Sequence, residues 1–214
     1  MRTFTLAALA LAVALPVAAQ QPDPDKPAKG GGKLPSGWEA RTDKDAALEN
    51  VRFESMGPGW HVTTGPAVIL WRPGDQAQGD FEASATLIQT KAPTHPEAYG
   101  IFVGGQALQG PEQSYTYFLV RGDGKFLIKR RTGSTTANVT QGWTENAAVV
   151  KANESGSQQN TLSIQRSGDR VRFLANGTEV HSAPAAEVAT GGQAGLRINH
   201  NLDVHVGAFT FTKK

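Results

Sequence analysis

The chain has 214 residues, with 21 lysines and arginines against 19 aspartates and glutamates, and it has no cysteine. The absence of cysteine excludes thiol catalysis, iron–sulfur clusters, cysteine-based zinc sites and a disulfide framework. The near-zero net charge gives no electrostatic basis for binding nucleic acid, so we expect no nucleic-acid partner.

The first residues have the pattern of a secretory signal peptide. Arg2 supplies a positive start, and the Ala/Leu/Val-rich run Leu6–Leu15 is too short to span a bilayer as a mature helix. The small residues Val17–Ala19 suit a cleavage site. We therefore predict a signal peptide over residues 1–19 and export to the periplasm or the extracellular space. No later stretch is apolar enough to predict a membrane span.

Two further segments follow the predicted signal peptide. Residues 20–37 are rich in Pro, Gly, Lys and Asp and contain little to bury, which predicts a disordered linker. Residues 38–214 show no internal repeat and no second block of composition, which predicts one folded domain.

Short strand patterns separated by turns fill this domain, and no long helical stripe interrupts them. Residues 80–87 alternate apolar and polar side chains, as a half-buried strand does. Residues 160–175 form a similar alternating pair of strands, and Asn176-Gly177 then gives a strong signal for a type I′ hairpin turn. Together these patterns predict an all-β fold, a two-sheet antiparallel β-sandwich.

The segment Ser114–Arg131 predicts a central hairpin, because its first strand is apolar on both faces. The length of the turn after Arg121 decides the register. A two-residue turn places Arg130 opposite Tyr117, whereas a three-residue turn brings Lys125 and Lys129 to that face instead. The sequence leaves both registers open.

This hairpin and the strands that follow it resemble the concanavalin A-like lectin/glucanase superfamily of jelly rolls. The resemblance lies in Tyr115–Arg131, in Asn160–Gly177 and in the closing strands within Gly191–Phe211, and it covers about Gly59 to Thr212. Within that superfamily the chain resembles bacterial exported 3-keto-disaccharide hydrolase-like and laminin G-like domains. The resemblance implies a carbohydrate or a glycosylated surface as the partner. The Glu-x-Asp-x-x-Glu strand of the glucanases does not occur in this sequence.

Aromatic and basic side chains on the hairpin are the first candidates for binding a sugar. Tyr115, Tyr117 and Arg121 share one face, and the two-residue turn would add Arg130. An aromatic ring stacks on a pyranose, while a guanidinium donates to hydroxyl groups. Trp143 follows in a loop and is a candidate for exposed stacking. The alternative is that Tyr115 and Tyr117 belong to the core.

Two carboxylates are the candidates for catalysis. Glycoside hydrolysis needs two carboxyl groups that flank the bond, and Asp80 and Glu82 lie at positions i and i+2 of a predicted strand. The alternative is that both side chains solvate the wet face of that strand.

Polar side chains near the end of the chain form a further candidate binding row. Asn201, Asp203 and His205 are predicted to share one face of the last strand, with His200 just before them. Such a row suits contact with sugar hydroxyl groups. Zinc would need a third protein ligand, so we predict no metal site and no cofactor, and the sequence leaves calcium open.

The leading hypothesis from the sequence is an exported, non-catalytic domain that recognises carbohydrate. A hydrolase of keto-disaccharides or related glycosides is the alternative. A structural envelope domain without a small ligand is the third reading. The oligomeric state is left open.

Overall fold

The computed structural model describes residues 28–43 and 47–214. Its strands in chain order are β1 (Glu39–Thr42), β2 (Val51–Ser55), β3 (Trp60–Thr64), β4 (Val68–Ala77), β5 (Phe81–Gln89), β6 (Ala98–Gln106), β7 (Ser114–Arg121), β8 (Lys125–Thr132), β9 (Thr135–Asn138), β10 (Thr144–Glu145), β11 (Gln158–Ser167), β12 (Arg170–Ala175), β13 (Thr178–Pro184), β14 (Gly192–Ile198) and β15 (Asp203–Lys213). None of the described residues is helical.

The strands form two antiparallel sheets. One has eight strands in the order β1-β4-β14-β6-β7-β8-β10, with β9 also paired to β8, and the other has seven in the order β13-β12-β11-β5-β15-β3-β2. Side chains that point inward from both sheets make the main core, with Phe118, Phe126 and Phe173 among them. Every second residue of β5 is buried, which is the alternation that the sequence predicted. The predicted two-sheet sandwich is confirmed.

The local turn chemistry explains several of these pairings. Asn176 and Gly177 both have positive φ, 52° and 82°, as a type I′ turn between β12 and β13 requires. In β15 the register shifts between Val206 and Ala208, which marks a β-bulge. The bulge keeps Phe209 directed to the same side as Val206.

The register of the central hairpin corrects one prediction. Arg121 pairs with Lys125, so the turn has three residues, and Gly124 closes it with φ 82°. Arg130 consequently lies opposite Thr116 and not opposite Tyr117. The pairing expected from a two-residue turn is therefore wrong. Arg130 projects from the face of the hairpin opposite to the one that Tyr117 and Lys129 share.

The outer face of the eight-stranded sheet carries a second apolar cluster. Its buried members are Ile69, Trp71, Ala98, Phe102, Leu108, Tyr115, Tyr117 and Leu119, with Trp143 packed against them. We call this set, together with Arg197 and Asp43, the aromatic–arginine cluster.

The predicted signal peptide lies outside the described residues, as does the first part of the predicted linker. The last part of that linker, residues 28–37, packs on the edge strand β2: the Phe53 amide donates to the Gly31 carbonyl at 2.9 Å. The part of the chain that the structure describes holds no helix with the length and apolarity of a membrane span.

Candidate functional site

A cavity of about 350 Å³ opens at one end of the sandwich. Three connections line it: residues 90–97 between β5 and β6, residues 122–124 between β7 and β8, and residues 152–156 before β11. Its volume lies within the range of small-molecule sites, about 300–1,000 Å³. We call it the end cavity.

A close approach of two of these connections sets one wall of the end cavity. Gly156 has φ 80°, and a Cβ atom on it would lie 2.0 Å from the Ala92 backbone nitrogen. Only glycine allows this combination of conformation and contact. Residues 152–156 are thereby packed directly on the start of the 90–97 connection.

Asp203 fixes the beginning of the 90–97 connection. Its backbone carbonyl accepts from the Thr90 amide at 3.0 Å, and its carboxylate accepts from the Thr90 hydroxyl. The Lys91 ammonium lies 2.8 Å from the same carboxylate, which also contacts the His61 Nε2. Burial opposes ionisation of Asp203, yet the hydrogen bonds from His61, Lys91 and Thr90 hold the pKa of its carboxyl well below the usual value.

Glu97 fixes the other end of this connection. One of its carboxylate oxygens lies 2.5 Å from His200 Nε2, and the other accepts from Asn199 Nδ2 at 3.3 Å. Two side chains from the predicted polar row, Asp203 and His200, thus hold the cavity wall at its two ends.

The rest of the predicted row divides: His205 shares the outer strand face of Asp203, as predicted, whereas Asn201 does not lie on the strand. Asn201 precedes β15 and takes φ 56° in the turn, so the prediction that it extends the strand face is wrong. The ring of His205 lies 6.2 Å, centroid to centroid, from that of His61 on the outer face of the seven-stranded sheet. Within residues 28–43 and 47–214, no three acidic or histidine side chains are arranged to hold a metal ion.

Arg121 and Trp143 adjoin the cavity through Asp123. Asp123 lines the cavity and accepts from Arg121 Nε at 2.9 Å and from Arg121 Nη2 at 2.5 Å. Hydrogen bonding from Arg121 lowers the pKa of the Asp123 carboxyl. The Arg121 guanidinium in turn lies 4.4 Å from the centroid of the Trp143 ring, a cation–π contact. Two of the predicted binding residues therefore stand together beside the cavity.

Tyr115 and Tyr117 lie elsewhere, within the aromatic–arginine cluster. Tyr115 is 0% exposed and Tyr117 is 6% exposed, which leaves no ring face for a sugar in this conformation. Arg197 Nη1 donates to the Tyr115 hydroxyl at 2.7 Å, and its guanidinium lies 5.1 Å from the Tyr117 ring centroid. Their place fits the core alternative, and a role in binding stays a prediction.

Asp43 neutralises the arginines of this cluster. Its two carboxylate oxygens accept from Arg197 Nη1 and Nη2 at 2.9 and 2.8 Å, and Arg131 Nη1 lies 3.1 Å away. Burial by itself would raise the pKa of Asp43, but the two guanidinium groups hold it below its usual value. Asp43 and Arg131 were not predicted, because nothing local in the sequence brings them together.

Asp80 and Glu82, the predicted catalytic pair, lie away from the end cavity. The Asp80 carboxylate accepts from the Gly168 amide at 2.9 Å. Glu82 accepts from Gln165 Nε2 at 3.2 Å and lies 3.0 Å from Lys214 Nζ on the outer face of the seven-stranded sheet. These are surface contacts, and they fit the alternative that both side chains lie on the solvent-exposed face of the strand.

The side chain at the base of the cavity, Gln89, was not predicted from the sequence. Gln89 ends β5 and is 1% exposed. Its Nε2 donates to the Gly156 carbonyl at 2.7 Å, and its Oε1 has no hydrogen-bond partner. The one available signal was that Gln89 opens a long Pro-containing connection, and such connections often carry function.

The chain matches no protein-family model and no curated protein sequence. It does resemble solved structures. Carbohydrate-binding module CBM66 from Bacillus subtilis aligns with a TM-score of 0.58 at 10% identity, over 83% of this chain and 96% of that one. The Bacillus licheniformis β-glucanase aligns with a TM-score of 0.57 at 11% identity, over 85% of this chain and 95% of that one. The VIP36 exoplasmic/lumenal domain, in its Ca²⁺/Man₃GlcNAc-bound form, aligns with a TM-score of 0.55 at 7% identity, over 83% of this chain and 84% of that one. The chain therefore shares the jelly-roll β-sandwich fold of these structures, which is the fold that its sequence predicted.

Proposed function

We propose that this protein is an exported domain that binds carbohydrate in the end cavity and does not cleave it. The observation that carries the proposal is the cavity itself, about 350 Å³ in volume, with the buried Gln89 amide at its base. The fold supports it by analogy, since similar folds include a carbohydrate-binding module and a domain solved with Man₃GlcNAc. Export rests on the sequence pattern of residues 1–19.

The walls of the cavity are held in place before a ligand arrives. The 90–97 connection is tied at its start to Asp203 and at its end to His200 and Asn199. The 152–156 connection is tied to Gln89 through the Gly156 carbonyl. A site that is ordered in the free protein loses less conformational entropy on binding, which favours recognition of a small, weakly binding sugar.

Asp123, one of the two carboxylates that line the cavity, is poorly suited to act as the acid of a glycosidase. A glycosidase needs one carboxylic acid with a raised pKa to protonate the leaving oxygen. Arg121 lowers the pKa of Asp123 instead, so this carboxyl stays ionised and is a poor proton donor.

Calorimetric titration of the purified protein with oligosaccharides tests the proposal, with each mixture analysed afterwards by mass spectrometry. Ala92 lines the cavity and is exposed, so Ala92→Phe should obstruct the cavity without disturbing the core. Ala137→Phe is the matched control, because Ala137 is an exposed alanine on β9. We expect binding that Ala92→Phe weakens at least tenfold and Ala137→Phe leaves unchanged. Equal binding by both variants would place the site elsewhere, and a cleaved sugar would establish the hydrolase alternative.

A further inference from the structure

Acidic side chains outnumber basic ones in the lining of the end cavity. Gln89, Glu97 and Asp123 contribute an amide carbonyl and two carboxylates to its lining. Among the described residues that line it, none is lysine or arginine, and His95 is the one basic side chain. Sites that bind carboxylate, sulfate or phosphate groups usually present lysine or arginine directly to them.

The orientation of Gln89 is fixed by its neighbour. Because Nε2 donates to the Gly156 carbonyl at 2.7 Å, the amide cannot turn over without losing that bond. Oε1 is therefore held as an acceptor, buried and without a partner. A buried acceptor that lacks a donor is unfavourable, and a ligand donor that reaches it would remove that cost.

The two carboxylates are held from outside the cavity lining. His200 and Asn199 bind Glu97, while Arg121 and Lys125 bind Asp123, and none of these four partners lines the cavity. The partners fix the carboxylates in place, and each carboxylate oxygen keeps a further lone pair with which it can accept a ligand donor. An anionic ligand would thus meet negatively charged oxygen atoms without a lining lysine or arginine to balance its own charge.

We infer that the end cavity selects sugars that donate hydrogen bonds, namely neutral or amino sugars, and rejects uronic, sulfated or phosphorylated sugars. This inference rests on the proposed function and adds the chemical class of the ligand. The carbonyl of Gln89 is covered in the free protein, so a hydroxyl or ammonium group of the ligand reaches it by displacing the lining slightly, while the carboxylates of Glu97 and Asp123 accept further donors.

Affinity measurements on three sets of probes test the inference: neutral gluco- and manno-oligosaccharides, glucosamine oligomers, and oligogalacturonates. We expect the neutral or glucosamine oligomers to bind at least tenfold more tightly than the oligogalacturonates. Tighter binding of oligogalacturonates would overturn the inference and leave carbohydrate recognition standing. No binding by any probe would overturn both.

Two pairs of variants localise the selectivity. Gln89→Met removes the acceptor together with the donor to the Gly156 carbonyl. Gln113→Met is its control, because Gln113 is also buried with an unpartnered Oε1 and does not line the cavity. We expect Gln89→Met to lower the affinity for the preferred probe by about tenfold and Gln113→Met to leave it unchanged. Ala92→Lys adds a cation at an exposed lining position and should improve oligogalacturonate binding, whereas Ala137→Lys should not. Unchanged affinities in Gln89→Met and Ala92→Lys would overturn the inference, and the melting temperature of each variant reports its folding.

Discussion

The aromatic–arginine cluster and the end cavity both bury polar side chains, but they leave different kinds of atom without a hydrogen-bond partner. In the cluster, Asp43 binds Arg197 through both carboxylate oxygens, and the Tyr115 hydroxyl accepts from the same guanidinium. In the cavity, Gln89 Oε1 is buried with no donor. In the cluster the atom left without a partner is a donor, Arg197 Nε, whereas in the cavity it is an acceptor that a ligand could use.

This difference separates two kinds of residue that the sequence presents alike. Tyr115 was a candidate for stacking on a sugar because of its type and its strand face. Its burial makes it part of the scaffold, while Arg121, on the same strand face, stands beside the cavity. Substitutions in the cluster should therefore lower stability, and substitutions at the cavity should lower affinity.

Replacing Tyr115 should give the largest effect on stability. Tyr115→Ala removes a fully buried ring and should lower the free energy of unfolding by about 3–5 kcal/mol. Tyr115→Phe keeps the ring and loses only the contact of its hydroxyl with Arg197, so its effect should be smaller. Chemical denaturation measures both. If Tyr115→Ala keeps full stability and abolishes sugar binding, the assignment of this ring to the scaffold is wrong.

Replacing Asp43 should give the second largest loss of stability. Asp43→Asn leaves the buried Arg197 without its counter-charge and should cost about 3 kcal/mol at neutral pH.

The loss of unfolding free energy caused by Asp43→Asn should also depend on pH, and it should become smaller in acid. The pKa of Asp43 is lowered in the folded protein, so its ionised form stabilises the fold above the unfolded pKa, about 4. That contribution is lost as the pH falls through the lowered pKa. The difference between wild type and Asp43→Asn should therefore be constant from pH 5 to 8 and shrink in acid. A difference that grows in acid would contradict the pairing.

Replacing Asp203 tests the anchoring of the cavity wall. Asp203→Asn removes the charge that Lys91 and His61 contact, and it should cost about 1.5–3 kcal/mol in stability. Amide hydrogen exchange in residues 90–97 should become faster than in wild type, and sugar affinity should fall. Unchanged exchange in that connection would show that Asp203 does not hold it.

Replacing Trp143 should give the smallest effect on stability. Trp143 is partly exposed and packs on the edge of the cluster, where it stacks on Arg121. Trp143→Ala should lower the free energy of unfolding by about 1–2 kcal/mol, because a partly exposed ring loses less burial and one cation–π contact. Its effect on sugar affinity decides whether the binding surface extends from the cavity onto this ring.

The sequence was sufficient for the fold because its signals are local. Residues 80–87 alternate with period two, and Asn176-Gly177 has the side chains that a type I′ turn needs. The register at Arg130 was harder to predict, because it depends on whether Gly124 takes the left-handed conformation that closes a three-residue turn. Both turn lengths suit a Gly-Asp-Gly sequence.

The candidate site was only partly predictable because its contacts are distant in sequence. Arg121 and Trp143 were predicted from residue type, and His200 and Asp203 from a polar pattern, yet their shared place around residues 90–97 follows from the packing of separate strands. Gln89 looks like any polar residue at the end of a strand, and its missing partner is visible only once Gly156 lies against it.

The most direct test of the account is an NMR titration of the ¹⁵N-labelled protein with the neutral oligosaccharide that binds best in calorimetry. The account predicts that the largest amide shifts fall at the cavity lining, at Gln89, Gly122 and Gly156, with little change at Tyr115 and Tyr117. Shifts centred on those two tyrosines, or saturable binding with no shift at the cavity, would contradict it.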